Sequence, residues 1–247
     1  MCSSDLFGLT TPAELRRWND AAPNIAVGME GAPGHQAAEL RKADDRGSYP
    51  AWVYARGAYG RGFPTMGGFD QMTAIVGGFW DAMLGEGRRW WITANSDSHI
   101  HYTEGGIDFW PGEYSKTFVH AEKTHDGILE SMRAGRMFVV TGDLITALDV
   151  TLSDGVTSVG WGETLKTKLG SKLTLEIAVT DPEETNAAGR NPSLNRIDLI
   201  IGAVTGPQEN VDLAQNPTTS VVERVSREAF EGVDGQYLVR SERSEEH

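Results

Sequence analysis

The run Trp90-Trp91-Ile92-Thr93-Ala94 reads as buried strand, and it passes directly into Asn95-Ser96-Asp97-Ser98-His99-Ile100-His101. In extended backbone, residues two apart point to the same side. Asp97 and His99 therefore aim together at a point just past the strand's carboxyl end. His101 is next in the series if the chain stays extended. Imidazole nitrogen with carboxylate oxygen is the donor set of zinc, manganese and iron hydrolase sites. An Asp-x-His triplet also arises by chance, and in that case Asp97 simply caps a turn.

A second cluster adds weight. The apolar strand in Asn24-Ile25-Ala26-Val27-Gly28-Met29-Glu30 ends on a carboxylate, and His35 lies five residues on, across a turn punctuated by Gly31, Pro33 and Gly34. Such a turn can fold the imidazole back towards Glu30, and a glutamate so placed can bridge two cations. The alternative is that Glu30 merely caps the adjoining turn and His35 hydrogen-bonds within its loop. Arg56 and Arg61, in WVYARGAYGRG, could clamp a phosphate; the competing reading is a solvated loop arginine. His101 is either a partner of the ligands or a solvated side chain. Glu113 and Tyr114 are candidates to wall a pocket, and His120 and His125 read as structural.

The elements that must carry these residues can be read from local signals. Thr11, Pro12 and Glu14 open a helix over PAELRRWNDA with a capping box. Residues 40–70 show no period and read as a long loop. QMTAIVGGFWDAMLGEG places Ile75, Phe79 and Met83 at helical spacing and closes on Gly85 and Gly87, so one helix is expected there. Strands are expected at 89–95, at 116–121 and in RMFVVTG, with a helix at about 125–134 between Thr124 and Gly135. Strand and helix alternate up to about residue 143, the pattern of a parallel α/β sheet or barrel. From Ile145 the pattern changes to strand-like runs, ALDVTLS, KLTLEIAVT and NRIDLIIG, which suggest a β-sandwich-like domain with its boundary near 145–150.

The formal charge of −13 argues against a sequence-independent grip on nucleic acid, which needs a basic stripe. It leaves room for a phosphorylated substrate held by cations, since a metal inverts the local sign. No apolar stretch approaches the length of a membrane span. MCSSDL and RSEEH resemble translated sequencing adapter, so Met1–Leu6 and Arg243–His247 are expected to pack against nothing, with natural sequence from about Phe7 to Glu242. The single cysteine, Cys2, lies in the first of these stretches, so no disulfide framework is expected and the compartment stays open.

Taken together, VGMEGAPGHQ, GGFWDAMLGEGRRWWITANSDSH and GILESMRAGRMFVVTG resemble the later half of a PHP-superfamily metallohydrolase, over roughly residues 20–143. The resemblance implies an α/β fold: an N-terminally truncated part of a distorted, TIM-like (β/α)7 barrel over residues 7–145. A smaller β-sandwich-like domain over 146–242 would come after it. It implies two or three divalent ions (zinc, manganese or iron) at the barrel's carboxyl-end face. Glu30 resembles the bridging carboxylate, His35 a histidine ligand, and Asp97 and His99 the late Asp-x-His ligands; Glu30, Asp97 and Arg56 become the catalytic candidates. The implied activity is a metal-dependent hydrolase, foremost a phosphoesterase attacking a small phosphorylated molecule with a metal-bridging hydroxide. Amide or lactone cleavage is the nearest alternative. An inactive barrel whose β domain binds carbohydrate or protein through aromatics such as Trp161 is another. The family's early His-x-His has no counterpart here, and residues 36–98 contain no histidine, so the number of ions is open.

Overall fold

The computed structural model describes residues 11–33, 69, 71–96, 111–113, 115–187, 189–233 and 235–244. The chain divides into two compact units. One draws on Met1–Phe118, Val139–Gly142 and Ile200–Val222, the other on Val119–Phe138, Asp143–Leu199 and Glu223–His247.

In the first unit, helix α1 spans Pro12–Ala21, with the Thr11 hydroxyl accepting from the Glu14 amide at 3.3 Å. Leu15, Arg16 and Asn19 form its buried face. Strand β1, Gly28–Pro33, pairs in parallel with β2, Trp91–Asn95. Between them lie two short helices, α2 (Gln71–Ala74) and α3 (Phe79–Gly85), rather than the single helix the apolar spacing predicts. Gly77 has a φ of 77°, a left-handed conformation no helix interior contains, and its amide bonds the Asp81 carboxylate at 2.6 Å. Phe79 and Met83 keep their buried places, whereas Ile75 stands 45% exposed at the break. Leu15, Met29, Phe79, Met83, Trp90 and Ile92 make the core, with Trp18, Phe69, Met72, Trp80, Val139 and Ala214 packed against it.

The segment 200–222 is tied into this unit by polar contacts. The Arg16 side chain is buried with the Glu86 carboxylate, its Nε donating to Glu86 Oε1 at 2.8 Å. Its two terminal nitrogens donate to the carbonyls of Val211 and Leu213 at 2.7 and 2.8 Å. Arg88 Nε closes on the other oxygen of Glu86 at 2.6 Å. Asn216, also buried, receives at its oxygen from the Thr218 amide and gives its side-chain amide to the Asp81 carbonyl. The amides of Asn216 and Thr205 donate to the carbonyls of Gly77 and Gly85, both at 2.8 Å.

In the second unit, β5 (Ala147–Ser153), β6 (Ser158–Val159), β7 (Lys172–Thr180), β10 (Glu231–Val233) and β11 (Gln236–Ser244) form an antiparallel sheet in the order β10-β11-β7-β5-β6. The alternation of the sequence decides its faces. Val150, Ile177 and Val239 lie in register on one side, while Arg240 and Glu176, paired at 2.6 Å, belong to the other. Arg227, in a 3₁₀ turn at Arg227–Ala229, donates to Asp181 Oδ2 and the Leu194 carbonyl, both at 2.8 Å, and lies over the Tyr237 ring. Arg243 and Ser244, expected to pack against nothing, are the last rungs of β11, opposite Leu173 and Lys172. Met1–Leu6 and residues 245–247 lie outside the described residues.

The expected partial (β/α)7 barrel followed by a β-sandwich-like domain is not the fold. Among the described residues there are four short α-helices, and the strands fall into four small separate sheets, none of them closed. The reason lies in the connections. Strand β3 (Ser115–Val119), helix α4 (His125–Ala134) and β4 (Met137–Thr141) have the order of a parallel crossover. Yet β3 and β4 are hydrogen-bonded neighbours, and the His120 amide, just past β3, donates to the Arg136 carbonyl, just before β4, at 2.9 Å. The end of one strand therefore meets the start of the next, as antiparallel neighbours do. The fourth sheet pairs β8 (Arg196–Ile201) with β9 (Ser220–Ser226).

Candidate functional site

The two motif-bearing strands are the pair β1 and β2. Their register sets Glu30 against Thr93, Ala32 against Ala94 and Pro33 against Asn95, so both chains leave the sheet at the same edge. Adjacent strands lie about 4.8 Å apart. His35 follows Pro33 by two residues, and Asp97 follows Asn95 by two.

Glu30 does not end its strand, as the apolar run predicts; β1 continues to Pro33. The ladder shifts register between Glu30 and Ala32, leaving Gly31 as the extra residue. A side chain on Gly31 would begin 2.7 Å from Thr73 Oγ1 and 3.0 Å from Ile92 Cβ, so only glycine fits that close approach. Glu30 itself is 5% exposed. A carboxylate so removed from water has to be met by a hydrogen bond or a cation.

The far side of β2 is held by a side chain. The Ala94 amide donates to Thr117 Oγ1, and that hydroxyl donates to the Ala94 carbonyl, both at 2.8 Å. At the other end of β2, the Trp80 indole donates to the Trp90 carbonyl at 2.8 Å and fixes α3 to the strand's start. Sequence reading passes over Thr117, because a threonine in a strand is an ordinary strand former with no local mark of a further role.

Of the residues singled out from sequence, His35, Arg56, Arg61, Asp97, His99, His101 and Tyr114 lie outside the described residues. Glu113 is half-buried in a turn, and His120 and His125 are exposed at the end of β3 and the start of α4. Trp161 stands edge-on to Phe138, with ring centroids 5.3 Å apart, so part of its surface is already engaged. Among the described residues, no three His, Cys, Asp or Glu side chains gather as a metal ion needs. Glu30 is the one expected donor among the described residues, and the register sets it opposite Thr93, four residues before Asp97 in the sequence. No helix among the described residues is long and apolar enough to cross a membrane.

Comparison with known proteins adds no likeness: no family model, curated protein or solved structure matches the chain.

Proposed function

We propose that this chain carries ligands of a metal-dependent hydrolase, foremost a phosphoesterase acting on a small phosphorylated molecule. The observation that supports this reading is the parallel register of β1 and β2, which sends the chain towards His35 and the chain towards Asp97 from the same edge. The motif resemblance to PHP-superfamily metallohydrolases supports it independently; the barrel of that superfamily is no part of the proposal.

In this reading Glu30, His35, Asp97 and His99 hold two or three divalent ions. When bound, such ions supply Lewis acidity and a water acidified towards neutrality. The protein's part is to fix the donors and keep Glu30 away from bulk water. Arg56 takes the phosphate, because a guanidinium matches two phosphate oxygens at once. The acidic composition suits a chain that collects cations and keeps polyanions such as nucleic acid away.

The test is a Mn²⁺ and Zn²⁺ titration of the protein followed by melting temperature, with a panel of phosphoesters assayed in parallel. A ligand at a hundredfold excess over its Kd stabilises by about 2.7 kcal/mol. The expected result is a chelator-reversible rise in Tm and chelator-sensitive phosphoester hydrolysis, both abolished by Asp97→Asn combined with His99→Ala. A metal response and turnover that this double variant leaves unchanged would overturn the proposal.

A further inference from the structure

We infer that one end of the antiparallel sheet in the second unit docks on an anionic membrane surface. Strand β5 ends at Ser153 and β7 begins at Lys172, and the register sets Ser153 against Thr174. The turn after β5 and the turn before β7 therefore lie at the same end of the sheet. A hydrogen bond ties them, Thr167 Oγ1 donating to Asp154 Oδ2 at 2.9 Å. Each turn also closes on itself. Asp154 Oδ1 accepts from the amides of Val156 and Thr157 at 3.0 and 2.8 Å, and the Ser171 amide donates to the Lys168 carbonyl at 3.0 Å. Both turns carry a glycine in the left-handed region, Gly155 (φ 86°) and Gly170 (φ 79°), with open space where a side chain would stand. Beside these glycines, Val156 is 95% exposed and Leu169 82%, the two most exposed large apolar side chains among the described residues. A single exposed aliphatic side chain is ordinary, but two on turns that are bonded together form a feature that asks for a partner.

The charge at this end runs against that of the chain. The sequence has a net charge of −13 and six lysines, yet three of these, Lys166, Lys168 and Lys172, fall within seven residues, and residues 164–175 contain no Asp or Glu. All three are exposed. Lys172 pairs with Glu242, whereas Lys166 and Lys168 make no ion pair among the described residues. The carboxylates of the adjoining turns are already engaged: Asp154 as above, and Glu163 by the Gly160 amide at 2.7 Å. Aliphatic tips among lysines suit the boundary of a bilayer, where the apolar groups enter and the ammonium groups meet anionic headgroups. A protein partner calls for aromatic or arginine anchors, and single-stranded nucleic acid for aromatic platforms. Residues 153–157 and 166–172 hold no aromatic residue and no arginine.

The experiment sediments the full chain with vesicles of phosphatidylcholine alone and of phosphatidylcholine with about a quarter phosphatidylserine. Binding is expected only to the second, and to fall as salt is raised. Each lysine near an anionic bilayer contributes about fivefold, so Lys166→Gln with Lys168→Gln should weaken partition at least about tenfold. Val156→Ser with Leu169→Ser should weaken it at least about fivefold through lost apolar burial. Lys123→Gln with Arg190→Gln removes two exposed cations outside these turns, and should stay within about threefold of wild type. All the substituted positions are exposed, so Tm should hold at the wild-type value throughout. No binding to the phosphatidylserine vesicles, equal binding to both kinds, or losses in the turn variants no larger than in the control overturns the inference. Self-association of the free chain that Val156→Ser with Leu169→Ser abolishes, read by light scattering, assigns the tips to a second copy and overturns it as well. The metal chemistry proposed above does not enter this inference, and either can fail alone.

Discussion

Arg16 shows how much one side chain can hold. Its guanidinium is shared between a buried carboxylate and two carbonyls from a distant stretch of chain, so every bond it makes is one that water cannot replace. Removing one partner of such a pair leaves a buried charge and unpaired carbonyls. Arg16→Met is expected to cost about 3 kcal/mol in urea unfolding, at the low end for buried pairs because Arg88 still faces Glu86. Arg16→Lys should recover little, since an ammonium on a flexible stem cannot reproduce the planar fork. Asp81 makes a prediction in pH. Burial raises its pKa above the ordinary aspartate value, and the hydrogen bond from the Gly77 amide only partly offsets this. A carboxyl whose folded pKa is raised favours the fold while protonated. That contribution is lost as pH climbs from the ordinary aspartate range through the raised value. Asp81→Asn, which cannot ionise, should therefore gain stability relative to wild type between pH 3 and pH 7, read as the difference in Tm. A constant difference across that range would count against it.

At the scale of elements, the ends of α1 and α4 were plain in the sequence because capping is local chemistry. Thr124 accepts from the Gly127 amide at 3.0 Å, and Gly135 closes the helix with a φ of 76°. Thr124→Ala should cost about 1 kcal/mol, measured as loss of Tm or of helical circular dichroism. Elsewhere locality was not enough. Ile75, Phe79 and Met83 have helical spacing, but Gly77 between them adopts a left-handed turn whose carbonyl accepts from the Asn216 amide, a contact from far along the chain. The direction of β4 beside β3 depends on where the chain returns after α4, and the alternation of strand and helix is the same for either direction. For the candidate site, the two motif strands were legible as strands, but their direct parallel pairing was not. The continuation of β1 past Glu30 was not either, because the register shift at Gly31 shows only in the pairing with β2, and the crowding by Thr73 and Ile92 that favours a glycine there comes from residues distant in sequence.

At the scale of the whole molecule, the surprise is the return of Ile200–Val222 to the first unit. Little in those residues marks it: Ile200, Ile201, Val204 and Val211 are exposed, and much of the binding is done by backbone groups that meet Arg16, Gly77 and Gly85, joined by the buried Asn216 side chain and by Ala214. A chain ended after residue 143, where strand–helix alternation stops, would lose these bonds and leave the Arg16–Glu86 pair half-satisfied. It is expected to be unfolded or rapidly degraded in limited proteolysis, while the full chain resists. A stable, protease-resistant product ending there would refute the importance given to the return.

The same return imposes a timetable. A ribosome has to deliver residue 213 before the pocket around Arg16 can close, so the first unit waits through the synthesis of about seventy residues beyond Gly142 with the Arg16–Glu86 pair incomplete. Such long-range closure slows folding and lengthens the exposure to aggregation. Overexpression at low temperature, where translation is slower and intermolecular association weaker, is the condition under which this protein should be recovered soluble.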